Sequence, residues 1–565
     1  MKTRMTDNTL YRTNGPIRTL DPVQTTTSSA ERVVSQLYET LFEYDYADDG
    51  SITTSPHLVA EREEATGVTR RYRLRQDVTF TNGDRLTAED VAYTLERAAA
   101  SEASIRADLL LNVAGISHQH EGGEYVPGSL GVRAVDDRMI EIEIVEPFHG
   151  LEGVLADVRF SILPAGLVDD VPGVDGDLSQ ETFARSPHGT GPFSLETFDP
   201  DHEWSPTAKE AQHWIPPTDD PEEELVLRAR DDYREQCSLD GIHYWVEDVK
   251  RRHELAHQGK SEQFYLRHEY VRPDLFSVDH VDDMGRRYGT YGPMPDSGLT
   301  ADHLAVPYPR TNLLVFNTDR VPRLVRRAVA YILSQESLVA GPRNGRADPA
   351  TFITPPGLFP GGQEGYDRRR EEVYPFDMTG RRVEAASEML SNLKDTPFEL
   401  SLEGEPYREA TCEWLASEFD DVAIDAEYRE VTFDELQERQ AEATVDASLV
   451  AYDMDYDAPE NFLQAVVPDE DVLHTNWAGT DAAMRASKGW ERLQANRGTG
   501  GETARHKALF EIQEAILEDV PIVPLYYSVG ERFTQQWNSF PPFGPASRHR
   551  QRLHQVEIGD RPNIE

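Results

Sequence analysis

The sequence predicts an α/β protein, because strand patterns and amphipathic helices follow one another along the whole chain. Three stretches carry that reading. Residues 71–98 (RYRLRQDVTFTNGDRLTAEDVAYTLERA) run from a strand-like alternation through a tight turn into a helix. Residues 325–338 repeat apolar side chains at helical spacing, and residues 505–527 place a helix directly before a β-branched and aromatic run.

Near the start, Asp7 to Arg12 reads as a first strand. In the next unit, Asn82-Gly83 favours a turn with positive φ. Thr87 stands as a helix N-cap with the acidic Asp90 three residues on, and Val91, Leu95 and Ala98 form one apolar face. A second helix is expected over Val325 to Leu338, with Val325, Val329, Ile332 and Leu333 on its buried side. A third is expected from about Arg505 to Glu518, with Leu509, Ile512 and Ile516 together, ending before Pro521. Val520 to Tyr527 (VPIVPLYY) then reads as a short buried strand. Asp199 to Glu224 is polar, acidic and Pro-rich, a surface insertion; Gly341 to Arg370 is a second loop-rich stretch.

The 565 residues carry 56 Lys+Arg against 102 Asp+Glu, a formal charge of −46. Nucleic acid is excluded as a default partner, since its phosphates need clustered positive charge. With 38% hydrophobic residues the chain still has the apolar matter to build cores. Lysine occurs only at Lys2, Lys209, Lys250, Lys260, Lys394, Lys488 and Lys507, so arginine supplies nearly all the cations. Carboxylates retain hydrated cations, whereas lysine stems add apolar surface that concentrated salt drives together. The composition therefore suits a halophilic, acidic protein. Cys237 and Cys412 are far apart and form no CxxC pair, so each is expected to be a small buried side chain. No run approaches the 18 or more apolar residues of a membrane span. Met1 to Leu10 lacks the apolar core of a leader; the start codon is expected to be misplaced, or the leader absent from the sequence as written.

Three short motifs compete for a catalytic role. His253-Glu254-Leu255-Ala256-His257 satisfies HExxH, whose two imidazoles share a helix face and could hold zinc with the glutamate as general base. No third ligand is identifiable; Glu262 and Glu269 are two of many nearby acids, and Gly259 reads as a helix C-cap. Asp453, Asp455 and Asp457 are spaced like the opening of an EF-hand, but Ala458 and Gln464 replace the glycine and glutamate it requires. Gly259-Lys260-Ser261 imitates the end of a P-loop whose first glycine would be Glu254. A zinc metallopeptidase using His253, His257 and Glu254 is the alternative function. No cofactor or metal is expected in the principal reading.

That principal reading comes from an ordered set of segments. Leu20-Asp21-Pro22 is followed by VVSQLYETLFEYD, then by RYRLRQDVTFTNGDRLTAEDV, Gly189-Thr190-Gly191-Pro192-Phe193, FNTDRVPRLVRRAVAYIL, YDMDYDAPENF and EIQEAILEDVPIVPLYY. In this order they resemble the family 5 extracellular solute-binding proteins, the peptide-, dipeptide- and oligopeptide-binding receptors of ABC importers. The resemblance implies a non-enzyme with a two-lobed periplasmic-binding-protein-like fold and a ligand cleft between the lobes. It implies a first lobe over residues 1–308, a second over 309–528 and a return to the first lobe over 529–565. The implied partners are a peptide or other small solute, a membrane permease and a separate ATPase; the implied location is the cell exterior. Matching residue by residue, the aromatic-x-x-Asp-Tyr pattern of Tyr452 to Tyr456 nominates Asp455 as counter-charge for an α-amino group, with Tyr452 where tryptophan is more usual. Thr26, Thr27 and Ser28 are nominated to bond a ligand backbone, and Asn476 and Trp477 as pocket wall.

Overall fold

The computed structural model describes residues 8–47, 49–198, 223–267, 270–379, 381–391, 397–542, 544 and 551–562. Most of the acidic insertion expected over 199–224 lies outside the described residues. The chain divides into two compact units. One comprises residues 1–45, 53–306 and 531–565, and the other comprises 46–52 and 307–530. Two of the boundaries fall inside long strands, Ala301–Phe316 and Ile522–Gln535.

In the first unit, strand Thr9–Asn14 runs parallel to Gly241–Val246, Leu10 opposite Ile242 and Arg12 opposite Tyr244. Antiparallel strands Glu223–Ala229 and Phe193–Phe198 extend that side, and Gln263–Phe264 joins the other, pairing in turn with Phe533 and Thr534. Helix Ser28–Leu37 covers one face, where Val33, Val34 and Leu37 pack with Leu10, Leu225, Leu227 and Ile242. Helix Val249–His257 covers the other, with Leu255 against Tyr11 and Trp245. A separate four-stranded antiparallel sheet is built from Val59–Thr66, Thr69–Leu74, Met139–Glu143 and Val132–Asp136.

Local signals in this unit produce the expected geometry. Gly83 adopts φ +90°. Thr87 caps helix Ala88–Ala100, and the Asp90 carboxylate accepts the Thr87 amide at 2.7 Å, closing a capping box. Gly189 and Gly191 pack directly on the end of helix Ser28–Leu37, and the Gly191 amide donates to the Leu37 carbonyl at 2.9 Å. There is no space for a side chain at either glycine.

In the second unit, Pro307 to Phe316 runs antiparallel to Ala447–Asp453, which pairs in parallel with Phe398–Gly404, itself parallel to Ile424–Glu430. One core unites Leu314, Phe316, Val325, Val329, Leu402 and Leu415. The single helix expected over 325–338 is two, Arg323–Ile332 and Gln335–Ala340. Leu333 is extended and Ser334 caps the second helix through the Ser337 amide at 3.1 Å. Both helices turn their apolar faces to one core, so their periodicity reads through the break. Part of the loop-rich stretch, Gly362–Val373, is helical. Helix Glu502–Asp519 stops at Val520, in the left-handed conformation before Pro521. The strand after it is longer than the apolar run suggests, reaching Gln535, because a half-buried polar stretch, Ser528 to Arg532, separates the apolar run from its buried end. Cys412 is buried as expected, whereas Cys237 is only half-buried.

Candidate functional site

In the second unit, strand Ala447–Asp453 delivers the nominated motif. Asp453 forms a two-pronged pair with Arg310, both contacts at 2.8 Å. Met454 and Tyr456 point into the core, at 0% and 1% exposure, which leaves Asp455 between them half-buried on the opposite side. Asn461, at the start of the following short helix, fixes Asp455 from two directions. Its Oδ1 accepts the Asp455 amide at 2.8 Å, and its Nδ2 donates to the Asp455 carboxylate at 3.3 Å. Gln464 donates to the Tyr452 hydroxyl at 2.9 Å, and Tyr452 packs on Phe462. The Asn461 amide thus helps to fix the orientation of the Asp455 carboxylate.

Asn476 and Trp477 lie on the segment that follows. Asn476 adopts φ +53°, its amide donates to Asp471 at 2.9 Å and its carbonyl accepts the Thr318 hydroxyl at 2.8 Å. Trp477 is 1% exposed and its indole N–H donates to buried Asp519 at 2.9 Å. These three bonds tie the segment into the second unit, and the Trp477 side chain is buried there.

In the first unit, the chain after Pro22 is anchored from beneath. Buried Arg97 grips Asp21 through two bonds of 2.9 and 2.7 Å, and turns its remaining N–H groups to Asp170. Burial opposes the Arg97 charge, but Asp21 and Asp170 outweigh it and hold its pKa above the ordinary value. Arg159 donates to the Thr25 carbonyl at 2.9 Å. Above these anchors, Thr26 is half-buried, while Thr27 and Ser28 are exposed. The Thr27 hydroxyl accepts the Ala30 amide and caps the helix that Ser28 begins. Part of the nominated bonding capacity is therefore used within the fold.

The HExxH segment forms the expected helix, and Gly259 at φ +73° ends it with Gly259 N–H to Ala256 O and Lys260 N–H to Leu255 O. Its histidines are committed elsewhere. His253 Nε2 lies 2.8 Å from the Tyr270 carbonyl, which only a protonated ring nitrogen satisfies, and His257 Nε2 lies 3.2 Å from the Tyr291 hydroxyl. His257 is buried rather than on an exposed face. Among the described residues no group of three or more His, Cys, Asp or Glu could hold a metal. No observation favours the metallopeptidase.

Burial, with His253 and Arg272 nearby, pushes the His257 pKa down to about 4, against the pull of Asp296. A histidine of pKa about 6.5 in the unfolded chain and about 4 in the folded one stabilises the fold above pH 6.5. That contribution is lost as the pH falls from 6.5 to about 4, because only the unfolded chain takes up the proton. Expected result: His257→Gln lowers the proton uptake on unfolding at pH 5 by about one. Unchanged uptake would show that this imidazole is charged in the folded chain.

The family model for "Bacterial extracellular solute-binding proteins, family 5 Middle" matches residues 53–472. The chain belongs to this family. The family is described as one of extracellular solute-binding proteins. Solved structures agree on the two-lobed fold: the Escherichia coli murein tripeptide binding protein MppA superposes with a TM-score of 0.67 at 15% identity, covering 99% of each chain. Among curated proteins, the Salmonella typhimurium peptide transport periplasmic protein SapA is 26% identical over 198 residues, 34% of each chain. The probable deoxycholate-binding periplasmic protein YgiS of Escherichia coli is 23% identical over 537 residues, 92% of this chain and 87% of YgiS. The chain thus spans about a third of the length of SapA. No helix among the described residues is long and apolar enough to cross a membrane.

Asn461, Gln464 and Arg310 were not nominated from the sequence. The available signal for Asn461 was its place at the start of a helix six residues after Asp455.

Proposed function

We propose that this chain is the solute-capturing subunit of an ABC importer, working outside the cytoplasmic membrane and delivering a peptide or similar zwitterionic solute to a permease driven by a separate ATPase. Family membership and the peptide transport named for SapA support the importer role. Asp455, oriented by Asn461, carries the choice of an ammonium-bearing ligand: a fixed carboxylate favours a cationic amino terminus over a neutral one. Thr26 and Ser28, with Thr27 partly used as a cap, are proposed as a second contribution that bonds a ligand backbone. The acidic surface, at a formal −46, suits work in concentrated salt.

The test is a calorimetric titration with a tripeptide and its N-acetylated twin. A hydrogen bond to a charged group is worth about 1.5–3 kcal/mol, so Asp455→Asn should weaken the free tripeptide by about 10- to 100-fold. It should leave the acetylated peptide unchanged. Equal loss for both peptides, or no loss, refutes the assignment.

A further inference from the structure

Within the first unit, arginines converge at one end of strand Thr9–Asn14. Arg12 stands in register with Tyr244 on one side and Gln263 on the other, and Gln263 stands opposite Thr534. Residues in register share a face of a sheet, so the Arg12 and Gln263 side chains lie together; Arg532, two residues before Thr534, lies on that face too. Helix Ser28–Leu37 brings Arg32 to the same end, where it donates to Asn14 Oδ1 at 3.5 Å. Arg252, on the other helix, reaches the neighbouring Gly15: a methyl group placed there would sit 3.4 Å from its Nη1.

Arg12 is 6% exposed; its guanidinium lies over the Tyr244 ring, 5.6 Å from the centroid, and its Nη2 makes a long hydrogen bond of 3.4 Å to Gln551. Its Nε and Nη1 are buried without an acceptor. Both polar atoms of the buried Gln263 amide are likewise unpartnered. The Asp248 carboxylate at this end caps its own helix through the Arg251 amide, at 2.8 Å. The arginines press on one another. Burial lowers the pKa of Arg12 against the pull of Tyr244, with Arg32 adding to the effect; burial and Arg12 bring Arg532 to about 10 against Tyr288, and burial, Arg32 and Arg267 bring Arg252 to about 10 against Asp248. A buried guanidinium without a counter-charge is costly, and it is more so when other guanidiniums surround it.

We propose that this face of the first unit binds a small oxyanion, held by the Arg12 guanidinium and the Gln263 amide N–H and flanked by Arg32 and Arg532. A guanidinium presents parallel N–H donors to two oxygens at once, a geometry that carboxylates and phosphates share. An anion seated there joins a helix, two short stretches of strand and the C-terminal part of the chain, so its binding stabilises the folded state by mass action. This site is independent of Asp455 and of the solute assigned to it.

The experiment is thermal unfolding of the full chain at constant ionic strength, with phosphate or acetate replacing gluconate, a bulkier anion. The expected result is a saturating rise in Tm for the unaltered protein and no saturating rise for Arg12→Gln. In gluconate alone Arg12→Gln should match or exceed the unaltered protein, because an unpaired charge has been removed. A response to phosphate alone marks a tetrahedral occupant, and one to acetate a carboxylate. Gln263→Leu, which keeps every charge, should raise the half-saturating concentration at least threefold and serves if Arg12→Gln does not fold. Equal rises in the unaltered protein and the variants, or no saturating rise in the unaltered protein with either anion, overturn the proposal.

Discussion

Arg97→Leu is expected to destabilise the first unit by about 3–5 kcal/mol, the range for removing one partner of a buried ion pair. Arg97 and Asp21 both have fully buried side chains, and Asp170 is nearly so. Removing the guanidinium leaves two largely dehydrated carboxylates without the counter-charge they share. Asp21 also organises its own turn, accepting the Val23 amide and the Gln24 side chain, so its displacement propagates into the segment that leads to Thr26. Chemical unfolding read at the midpoint measures the effect. The double variant Asp21→Leu with Arg97→Leu should recover part of it, since it no longer buries an unpaired Asp21. A single variant that unfolds at the original midpoint would show the network to be dispensable.

Gly189→Ala is expected to cost about 3 kcal/mol, the upper end for overpacking. A methyl group there would lie 2.1 Å from the Leu37 carbonyl oxygen and 2.6 Å from the Tyr38 ring. The carbonyl cannot retreat without breaking the hydrogen bond it accepts from Gly191. Gly500, where a methyl group would meet open space, provides the comparison: Gly500→Ala should leave the midpoint unchanged within about 0.5 kcal/mol. Equal midpoints for the two variants would mean that the helix end can shift.

What could be read from the sequence was local. The Thr87 and Asp90 box and the Gly259 terminus depend on residues a few positions apart, and both formed as expected. The break at Ser334 was hidden because hydrophobic periodicity reports the shared core rather than the continuity of the backbone. Long-range polar partners were invisible. Arg97 lies 76 residues from Asp21, and Arg310 lies 143 from Asp453; nothing in either neighbourhood singles out its partner among so many charges. Asp455 could be nominated because a motif surrounds it, but its orientation depends on the Asn461 amide, which composition and periodicity do not mark. Trp477 is ambiguous between wall and core in the sequence because an indole suits both, and its bond to Asp519, 42 residues away, could not be read there.

The way the chain threads its two units fixes when each one can be finished on the ribosome. Everything in the second is available once Gly530 has emerged, whereas the first still awaits Phe533 and Thr534, the partners of Phe264 and Gln263. At roughly 5–20 residues per second, the amino-terminal half therefore spends tens of seconds with an unpaired strand edge. Of the two units, the one whose first strand emerges earlier is also the one completed last.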